Sequence, residues 1–509
     1  MPHPRLNKNL ILTAAYQDRD DLRVPPGRVF DLPEKVIQFG TGGFLRAFAD
    51  DFIDRANRQG VFNGRVVMVQ STGSRRAETL AEQDGLYTLW VRGLEDDKPA
   101  EHFAVVAAAS RAIAAQKAWP DVLACARNPD LELVVSNTTE VGIALDEDDA
   151  LDARPPRSFP GKLTVFLYER ARHFDFAPEA GLLILPCELL EDNAAALRRI
   201  VRALAERWQL GARFIDWIDS ATVFCNTLVD RIVPGTPEPD GLAACGDVLG
   251  YEDRLLTAAE GYRLWAIEGG ADLRRRLAFP EANPGVLVTE DIGPYRERKI
   301  RLLNGGHTLT VPMGFLLGNR TVLDNMRHPI AGPFITALLR EEIGPSLDVD
   351  PATVPPYIDD VLARWRNPFL DHHLIDITLQ STTKMRLRVI PSILRHYAKR
   401  QAAPRRIAFG FAGYLLFMRG VEEHDGRIVG RRGDTLYPIN DDQAPFFLDA
   451  WNAVDPGSEI SVAAFVERIC AREAFWGVDL TGLPGFSAAV AHDLGSMLRR
   501  GVAATLQDL

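Results

Sequence analysis

The stretch IQFGTGGFLRAF, residues 37–48, decides the fold of this chain. Its apolar start belongs to the run Lys35–Phe39, which predicts a buried β-strand, and aromatic residues then recur at helical spacing. A glycine turn between a strand and a helix can hold a pyrophosphate, because Gly40 permits the tight turn and Gly42 lets a phosphate approach the backbone. Leu45 stands where the dinucleotide fingerprint has its third glycine, so a turn that binds nothing is the alternative interpretation.

Strands alternate with helical patterns through the first half of the chain. Apolar runs at residues 65–70, 131–135 and 182–185 predict further strands, separated by helical patterns. This rhythm predicts βαβ units on a parallel sheet, and therefore an α/β fold with a Rossmann-type N-terminal domain. From about Ile300 the patterns are long and helical, so we expect a mainly α-helical C-terminal domain.

The predicted domains meet at a turn-like stretch near residues 291–294. Residues 1–291 form the predicted Rossmann-type dinucleotide-binding domain, and residues 292–509 form the mainly helical substrate-binding domain. Residues 234–246, which are rich in Pro, Gly and Asp, predict a surface loop, and residues 421–432 predict an exposed turn.

Composition narrows the class of protein. The 509 residues carry a net charge of −11, which argues against nucleic acid as the main partner, because phosphate binding requires a basic surface. The longest apolar run, residues 407–418, is shorter than the roughly 20 residues that a membrane helix needs.

The five cysteines are scattered without a CxxC or Cys/His cluster, so we expect no disulfide framework, no metal site and a cytoplasmic location. Without a sustained heptad seam, a monomer and a small homo-oligomer both stay open.

The residues after the second strand leave the choice of nicotinamide coenzyme open. The chain reads Gln70-Ser-Thr-Gly-Ser-Arg75-Arg76 where an acid that binds the ribose of NAD is expected. Arg75 or Arg76 can instead meet the 2′-phosphate of NADP, or both can be solvated at a helix start.

Polar residues directly follow the strand predicted at 131–135, in the order Ser136-Asn-Thr-Thr-Glu140. Open α/β sheets bind ligands at the carboxyl ends of their strands, so Asn137 and Thr138 are candidate ligand-binding residues. A helix cap, with Asn137 or Thr138 as N-cap and Glu140 in the first turn, is the alternative, and both can hold at once. The predicted cofactor-binding residues are Phe39, Gly40, Gly42, Gly43, Phe44, Asn137 and Thr138.

The segment KIRLLNGGH, which begins at Lys299, places three reactive side chains on one predicted helix. With an advance of about 100° per residue, Lys299, His307 and Asn304 point within a single arc. That trio suits alcohol–ketone interconversion, because a buried amine takes the hydroxyl proton, an amide stabilises the oxyanion and an imidazole orients the hydroxyl. Gly305 and Gly306 each cost a helix roughly 1 kcal/mol relative to alanine, which indicates close approach of a ligand or another backbone. The alternative is a solvated lysine, a helix-terminating asparagine and a histidine satisfied in the core.

Residues 224–231 contain a second group of candidates. Asn226 follows an apolar run and is a further amide donor. The neighbouring Asp230 and Arg231 predict an internal ion pair that holds the loop.

Together these segments resemble the polyol-specific long-chain dehydrogenase family, also called the mannitol dehydrogenase family. The similar stretches are IQFGTGGFLRAF (37–48), QDGLYTL (83–89), SNTTEVGI (136–143), LPCELLEDN (185–193), NTLVDRIVP (226–234), LWAIEG (264–269), KIRLLNGGHT (299–308), RWRNPFLDHHL (364–374) and STTKMRLRVIP (381–391). They run in order over most of the chain, and the spacing K-x4-N-x2-H is specific to the family. The continuation TLTVPMGFLLGNRTV, residues 308–322, is most similar to the tagaturonate-reducing branch.

The resemblance implies a metal-independent oxidoreductase that transfers hydride between NAD(H) and a hexuronate/aldonate pair, with tagaturonate and altronate as the first choice. NADP stays open as the coenzyme. A mannitol- or arabinitol-type polyol dehydrogenase and a fructuronate (mannonate) reductase are the alternatives, and a non-catalytic NAD-binding protein is a more remote one.

The resemblance also implies roles for individual residues. Lys299 is the implied general acid/base, Asn226 and Asn304 are the oxyanion-stabilising pair, and His307 positions the substrate. A uronate carboxylate implies a cationic partner near the substrate, and the predicted substrate-binding residues are Asp230, Lys384 and Arg388, with Arg386 as a rival. Solvated charges are the alternative interpretation.

Overall fold

The computed structural model describes residues 3–95, 98–138 and 142–509, which form two compact units. One unit contains Met1–Gly93 and Ala100–Ile292, and the other contains Leu94–Pro99 and Gly293–Leu509. The suggested position of Glu140 in the first turn of a helix lies outside the described residues.

A sheet of six strands organises the first unit. In chain order the strands are β1 Glu34–Phe39, β2 Arg65–Gln70, β3 Ala109–Ala114, β4 Leu133–Ser136, β5 Leu183–Pro186 and β6 Val223–Phe224. They lie in the order β3-β2-β1-β4-β5-β6, and all neighbouring strands are parallel. This is the strand order of the Rossmann fold, so the predicted α/β class is confirmed.

Both faces of this sheet are buried, as expected of parallel strands covered by helices. Along β1, Val36 packs into one apolar cluster and Ile37 packs into another. The register places Phe39 opposite Val69 and Ser136, so the carboxyl ends of β1, β2 and β4 meet at one edge. The strand order reverses between β1 and β4, and such a switch point is where open α/β sheets bind ligands.

The helix predicted after the glycine turn is interrupted. Helix α1, Gly43–Arg46, ends after one turn, and helix α2, Ala49–Arg58, begins beyond Phe48, whose φ and ψ of −127° and −87° are not helical. Phe44 and Phe48 stack with ring centroids 4.9 Å apart. The aromatic spacing therefore reflects packing across a break rather than one continuous helix.

Smaller elements complete the first unit. Its other α-helices are Lys8–Ile11, Ala14–Gln17, Arg75–Glu82, Trp119–Cys125, α3 Phe159–His173, α4 Asn193–Arg207, Ala212–Ser220, Pro239–Leu249 and Ala271–Leu277. Two further sheets contain, in spatial order, Leu22–Arg23, Lys98–Val106, Tyr87–Glu95 and Thr257–Glu260, and then Thr227–Asp230, Leu264–Glu268 and Val286–Thr289.

The surface loop predicted at residues 234–246 is wrong beyond Glu238, because a helix begins at Pro239. Pro239 occupies the first helical position, and Gly250 follows the last turn in a left-handed conformation with φ 78°. Proline at the start and glycine just past the end are boundary signals of a helix. The residues that suggested a loop therefore mark the ends of a helix.

The second unit is mainly helical. Its α-helices are Gly293–Arg298, Gly306–Leu316, Val322–Arg327, Ala331–Ala337, Gly344–Ser346, Val354–Trp365, Leu374–Ile377, Ser381–Lys384, Ile390–Lys399, Arg405–Phe417, Ala444–Asn452, Glu459–Cys470, Glu473–Trp476 and Phe486–Gln507. Three π-helical segments, Lys299–Gly305, Leu338–Ile343 and Met385–Val389, interrupt them.

The exposed turn predicted at residues 421–432 is wrong in extent. The segment belongs to an antiparallel sheet of Gly420–His424, Arg427–Arg432 and Thr435–Pro438. Only Asp425 and Gly426 form the turn, both with positive φ, which suits a two-residue hairpin connection.

A bilayer-spanning helix would need both length and apolar character, and no helix within the described residues combines them.

Candidate active site

The glycine turn after β1 has two glycines with different requirements. Gly40 has a φ of 134°, and a Cβ added to it would lie 3.0 Å from the Asn137 carbonyl oxygen, so the turn itself needs glycine. Gly42 has an ordinary φ of −66°, and a Cβ on it would meet nothing within 4 Å. Gly42 therefore leaves open space in front of the backbone, as close approach of a ligand requires.

Side chains hold the carbonyl groups of this turn from the protein side. Gln38 Nε2 donates to the Gly40 carbonyl oxygen at 3.0 Å, and buried Arg46 donates to the Thr41 carbonyl oxygen at 2.6 Å. Within the described part of the chain, the N–H groups of Thr41, Gly42 and Gly43 make no hydrogen bond. Successive backbone N–H groups without a partner, next to carbonyl groups that the protein's own side chains bind, form an anion-binding site, which we call the phosphate cradle. This set of donors fits the pyrophosphate of a dinucleotide.

A cleft of about 790 Å³ opens at this edge of the sheet. The predicted cofactor-binding residues that line it are Phe39, Gly40, Gly42, Asn137 and Thr138. Gly43 and Phe44 instead form the start of α1.

The end of β2 contributes polar but uncharged groups to the cleft. Gln70 accepts from the Ala77 N–H at 2.8 Å and donates to the Thr72 carbonyl oxygen at 2.8 Å, which ties the loop to the following helix. Arg76 lines the cleft and is exposed, whereas Arg75 is exposed without lining it.

A buried glutamate, which sequence reasoning missed, fixes the loop after β4. Glu188 accepts from the Thr138 N–H at 2.9 Å, from the Thr138 hydroxyl at 3.1 Å and from the Ser136 hydroxyl at 3.1 Å. Burial raises the pKa of Glu188, against these hydrogen bonds. The Asn137 side chain donates to the Cys187 carbonyl oxygen at 2.7 Å. Asn137 and Thr138 are thus held by the segment that follows β5.

Asn226 is held between a helix start and a carboxylate. Its side-chain oxygen accepts from the N–H groups of Ala194 and Ala195, both at 3.1 Å, at the beginning of α4. Its Nδ2 donates to Glu268 at 2.6 Å. Because an amide nitrogen carries two hydrogens, one donor of Asn226 is engaged and a second exists.

The predicted ion pair between Asp230 and Arg231 is wrong. Arg231 is fully buried and pairs with Asp51 at 2.9 Å, and it also donates to the Glu260 carbonyl oxygen. Consecutive residues of an extended segment point to opposite sides, which separates the two neighbours. Asp230 itself is buried, with 4% of its surface exposed.

The Lys299 segment is not the regular helix assumed for its side-chain directions. Lys299–Gly305 is π-helical and leads directly into the α-helix Gly306–Leu316. A π-helix bonds each residue to one five positions away, so each residue advances by less than the 100° of an α-helix. The arc calculated for Lys299, Asn304 and His307 on one α-helix is therefore wrong in its angles, although one helical path carries all three.

The close approach of another backbone expected at the two glycines is confirmed at Gly305, whereas the nearest atoms at Gly306 belong to side chains. A Cβ on Gly305 would lie 3.2 Å from the Arg388 carbonyl oxygen, and a Cβ on Gly306 would lie 2.7 Å from the Trp365 ring. The π-helices Lys299–Gly305 and Met385–Val389 therefore pack against each other at backbone distance.

The three side chains of the segment differ in exposure. Lys299 and Asn304 are partly buried, and His307 is buried. The side-chain amide of Asn304 has no hydrogen-bond partner in the described part of the chain, which leaves it available to a ligand oxygen.

His307 lies in a cationic environment. Its ring packs on Trp365 with centroids 4.3 Å apart and meets His372 edge to face at 5.5 Å. Burial lowers the pKa of His307 well below its ordinary value, and interaction with His372 and then with the charges of Arg364, Arg388 and Lys384 lowers it further. His307 is therefore neutral at pH 7, and its Nδ1 atom has no hydrogen-bond partner in the described chain.

The predicted carboxylate-binding residues lie in this same neighbourhood. Lys384 and Arg388 are both partly buried, and Lys384 Nζ donates to the Ile377 carbonyl oxygen at 2.8 Å. The rival Arg386 is exposed. Arg364, which sequence reasoning did not single out, is 5% exposed, and its charge also lowers the pKa of His307.

Among the described residues no three His, Cys, Asp or Glu side chains are arranged to hold a metal ion.

The fold and these features define a class, that of Rossmann-type oxidoreductases acting on CH–OH groups. Family models described as the mannitol dehydrogenase Rossmann domain and the mannitol dehydrogenase C-terminal domain match residues 34–279 and 291–498. The chain belongs to the mannitol dehydrogenase family.

Individual relatives agree with this assignment. An altronate oxidoreductase of Yersinia pestis is 38% identical over 484 residues, which cover 94% of this chain and 97% of the relative. The altronate oxidoreductase of Bacillus subtilis is 38% identical over 91% of this chain and 94% of its own. The predicted nearness to the tagaturonate-reducing branch is confirmed by these relatives.

Solved structures confirm the fold. Pseudomonas fluorescens mannitol 2-dehydrogenase, in a ternary complex with NAD and D-mannitol, superimposes with a TM-score of 0.71 at 24% identity and covers 99% of both chains. A D-sorbitol dehydrogenase in substrate-free form gives a TM-score of 0.79 at 22% identity, over 99% of this chain and 100% of its own.

Proposed function

We propose that this protein interconverts a hexuronate ketone and its aldonate with NAD(H), and that tagaturonate and altronate are the pair. The altronate oxidoreductases of similar length, at 38% identity, support the substrate class. The phosphate cradle at the glycine turn supports the dinucleotide, and the solved relative bound to NAD supports NAD as its identity.

The observation that carries the proposal is the neutral His307 among cationic side chains. Arg364, Arg388 and Lys384 all act on this buried ring. A sugar acid brings a carboxylate, which can accept charge-assisted hydrogen bonds from such side chains, and a neutral polyol has no such group. We assign the carboxylate to Lys384 and Arg388 on this basis, with Asp230 as a further substrate-binding residue.

The proton chemistry falls to Lys299. When bound, the nicotinamide supplies hydride to the keto carbon or accepts it from the alcohol. On reduction the Lys299 ammonium donates its proton to the keto oxygen, and on oxidation the neutral amine takes the hydroxyl proton. The amides of Asn304 and Asn226 donate to that oxygen as negative charge develops, and His307 orients the hydroxyl. An ammonium group provides this electrophilic assistance without a metal ion.

The first test compares two lysine variants on altronate. Lys299→Met should abolish NAD-linked oxidation of altronate while NADH binding stays intact, because the glycine turn is unchanged. Lys117→Met, which alters an exposed lysine paired with Glu78, is the matched control and should retain full activity. Retained activity in Lys299→Met would refute the assignment of this residue.

A comparison of substrates distinguishes the proposed function from the alternative functions. Altronate should be oxidised with a higher kcat/KM than mannonate, mannitol or arabinitol. A preference for mannonate would indicate a fructuronate reductase, and a preference for a neutral polyol would contradict the carboxylate site. NADH binding without turnover of any of these would indicate a non-catalytic protein.

A further inference from the structure

Within the described part of the chain, a carboxyl group without an ion-pair partner lies beneath the glycine turn. Asp50, in the first turn of α2, is completely buried. Its Oδ2 accepts from Gln38 Nε2 at 3.3 Å and from the Tyr87 hydroxyl at 3.2 Å, whose single hydrogen is shared with the Arg46 carbonyl oxygen at 2.9 Å. The same Gln38 Nε2 donates to the Gly40 carbonyl oxygen at 3.0 Å. Asp50 is therefore two hydrogen bonds away from the carbonyl that shapes the phosphate cradle.

Two buried oxygens in this group lack a donor. Asp50 Oδ1 and Gln38 Oε1 have no hydrogen-bond partner in the described part of the chain. A buried acceptor without a donor costs about 1–3 kcal/mol. An ionised carboxylate adds no donor, whereas a protonated carboxyl supplies one. Protonation of Asp50 therefore adds a donor to a group that has two unpartnered acceptors.

The charged and titratable groups around Asp50 come from every neighbouring element. They are Arg46 of α1, Tyr87 of the strand Tyr87–Glu95, Asp54 of α2 and Cys187 after β5. Burial raises the pKa of Asp50 to about 7, the hydrogen bonds from Gln38 and Tyr87 and the charge of Arg46 act against this, and Asp54 raises it further. Arg46 makes no ion pair with Asp50: its two terminal nitrogens donate to Thr41, Leu255 and Thr257, and its Nε has no hydrogen-bond partner in the described part of the chain.

We propose that Asp50 is a positioning residue for the coenzyme, that it acts through Gln38 on the Gly40 carbonyl, and that its neutral form is the one that binds the dinucleotide. This inference rests on the proposed function, because it presupposes that a pyrophosphate occupies the cradle. A pyrophosphate brings negative charge to the turn, and an ionised carboxylate in the low-dielectric interior behind it repels that charge. Coenzyme binding therefore favours the protonated carboxyl, and affinity falls as Asp50 ionises.

The experiment measures the Kd of NADH by nucleotide fluorescence between pH 5.5 and 9. In the unaltered protein the Kd should be flat at low pH, bend near neutrality, and then rise by up to about tenfold per pH unit. Asp50→Asn mimics the protonated carboxyl, because its amide supplies the missing donor. Its Kd should stay near the low-pH value throughout and show no bend.

A matched control lies one turn further along α2. Asp54 is a buried carboxylate that pairs with Arg58 and accepts from the Ala107 N–H, without contacting Gln38. Asp54→Asn removes the same charge, and the bend in the Kd profile should persist at slightly lower pH because a repelling neighbour is gone.

A second variant keeps the inference testable if Asp50→Asn does not fold. Tyr87→Phe removes a hydrogen bond that lowers the Asp50 pKa, so the bend should move to higher pH. A residue with a purely structural role would weaken binding equally at all pH values and leave the bend in place.

The outcomes separate this inference from the proposed function. NADH binding whose pH profile is the same in Asp50→Asn and the unaltered protein overturns the role of Asp50 and leaves the proposed function standing. A bend that stays at the same pH in Tyr87→Phe also counts against it. Absence of NADH binding at every pH removes the proposed function and the inference together.

Discussion

Replacing Gly42 by alanine tests whether this glycine is needed for ligand binding rather than for folding. The backbone at Gly42 has φ −66° and ψ 161°, which any residue adopts, and a Cβ there meets no atom within 4 Å. The substitution should therefore leave folding stability unchanged or raise it by about 0.4–1 kcal/mol, because alanine restricts the unfolded chain. The same methyl group projects into the space where a pyrophosphate would lie.

The cost to binding follows from overpacking. A methyl group forced into a filled site costs about 1–3 kcal/mol, which corresponds to a roughly five- to 150-fold higher Kd for NADH. Fluorescence titration gives the Kd, and thermal unfolding without nucleotide gives the stability. NADH affinity equal to that of the unaltered protein would refute the placement of the pyrophosphate at this turn.

Gly40 provides the contrast. Gly40→Ala places a Cβ 3.0 Å from the Asn137 carbonyl oxygen at a φ of 134°, so strain of about 1–3 kcal/mol should lower the melting temperature as well as the affinity. Of these two variants, only Gly40→Ala should lose stability, whereas both should bind NADH more weakly. A Gly40→Ala protein as stable as the unaltered one would contradict this account of the turn.

Two further predictions concern buried charge and substrate choice. Burial acts to raise the pKa of Asp51, but Arg231 and Arg55 outweigh it and hold the pKa at about 2, below its ordinary 3.8. Ionised Asp51 therefore contributes about 2 kcal/mol to the free energy of unfolding, which is present above pH 4 and lost as the pH falls towards 2. Urea unfolding should show that Asp51→Asn lacks this pH dependence. The same variant should be about 3–5 kcal/mol less stable at pH 7, because it leaves Arg231 unpaired. Lys384→Met should raise the KM for altronate about ten- to 100-fold, the worth of a charged hydrogen bond, while Arg386→Met, at an exposed neighbour, should not. Equal losses on altronate and mannitol would show that Lys384 does not bind the carboxylate.

The central sheet was predictable because its signal is local. The strand Arg65–Gln70 coincides with an apolar run, since a parallel strand buried on both faces must be apolar along its length. The glycine turn was equally predictable, because it lies between a predicted strand and a predicted helix. These features depend only on neighbouring residues.

The parts that could not be predicted depend on distant partners or on helix geometry. Asp50 and Asp51 sit at the start of a helix, where acidic residues are ordinary dipole partners, and nothing local indicates their burial. Asn226 meets Glu268, which lies 42 positions away in the chain. The angles within the Lys299 segment were wrong because a spacing of 3.6 residues per turn was assumed for a π-helix.

The π-helical segments make the effect of a deletion depend on where it falls. A π-helical turn accommodates one residue more than an α-helical turn, so removing one residue between 299 and 305 would let the segment relax into a regular helix. Because only the extra residue of the turn is lost, the side chains on either side of the deletion would keep their relative direction. The same deletion inside the regular helix Gly306–Leu316 would rotate every later side chain by about 100° relative to those before it. Losing one residue should therefore disturb side-chain alignment less in the π-helical stretch than in the helix that follows it.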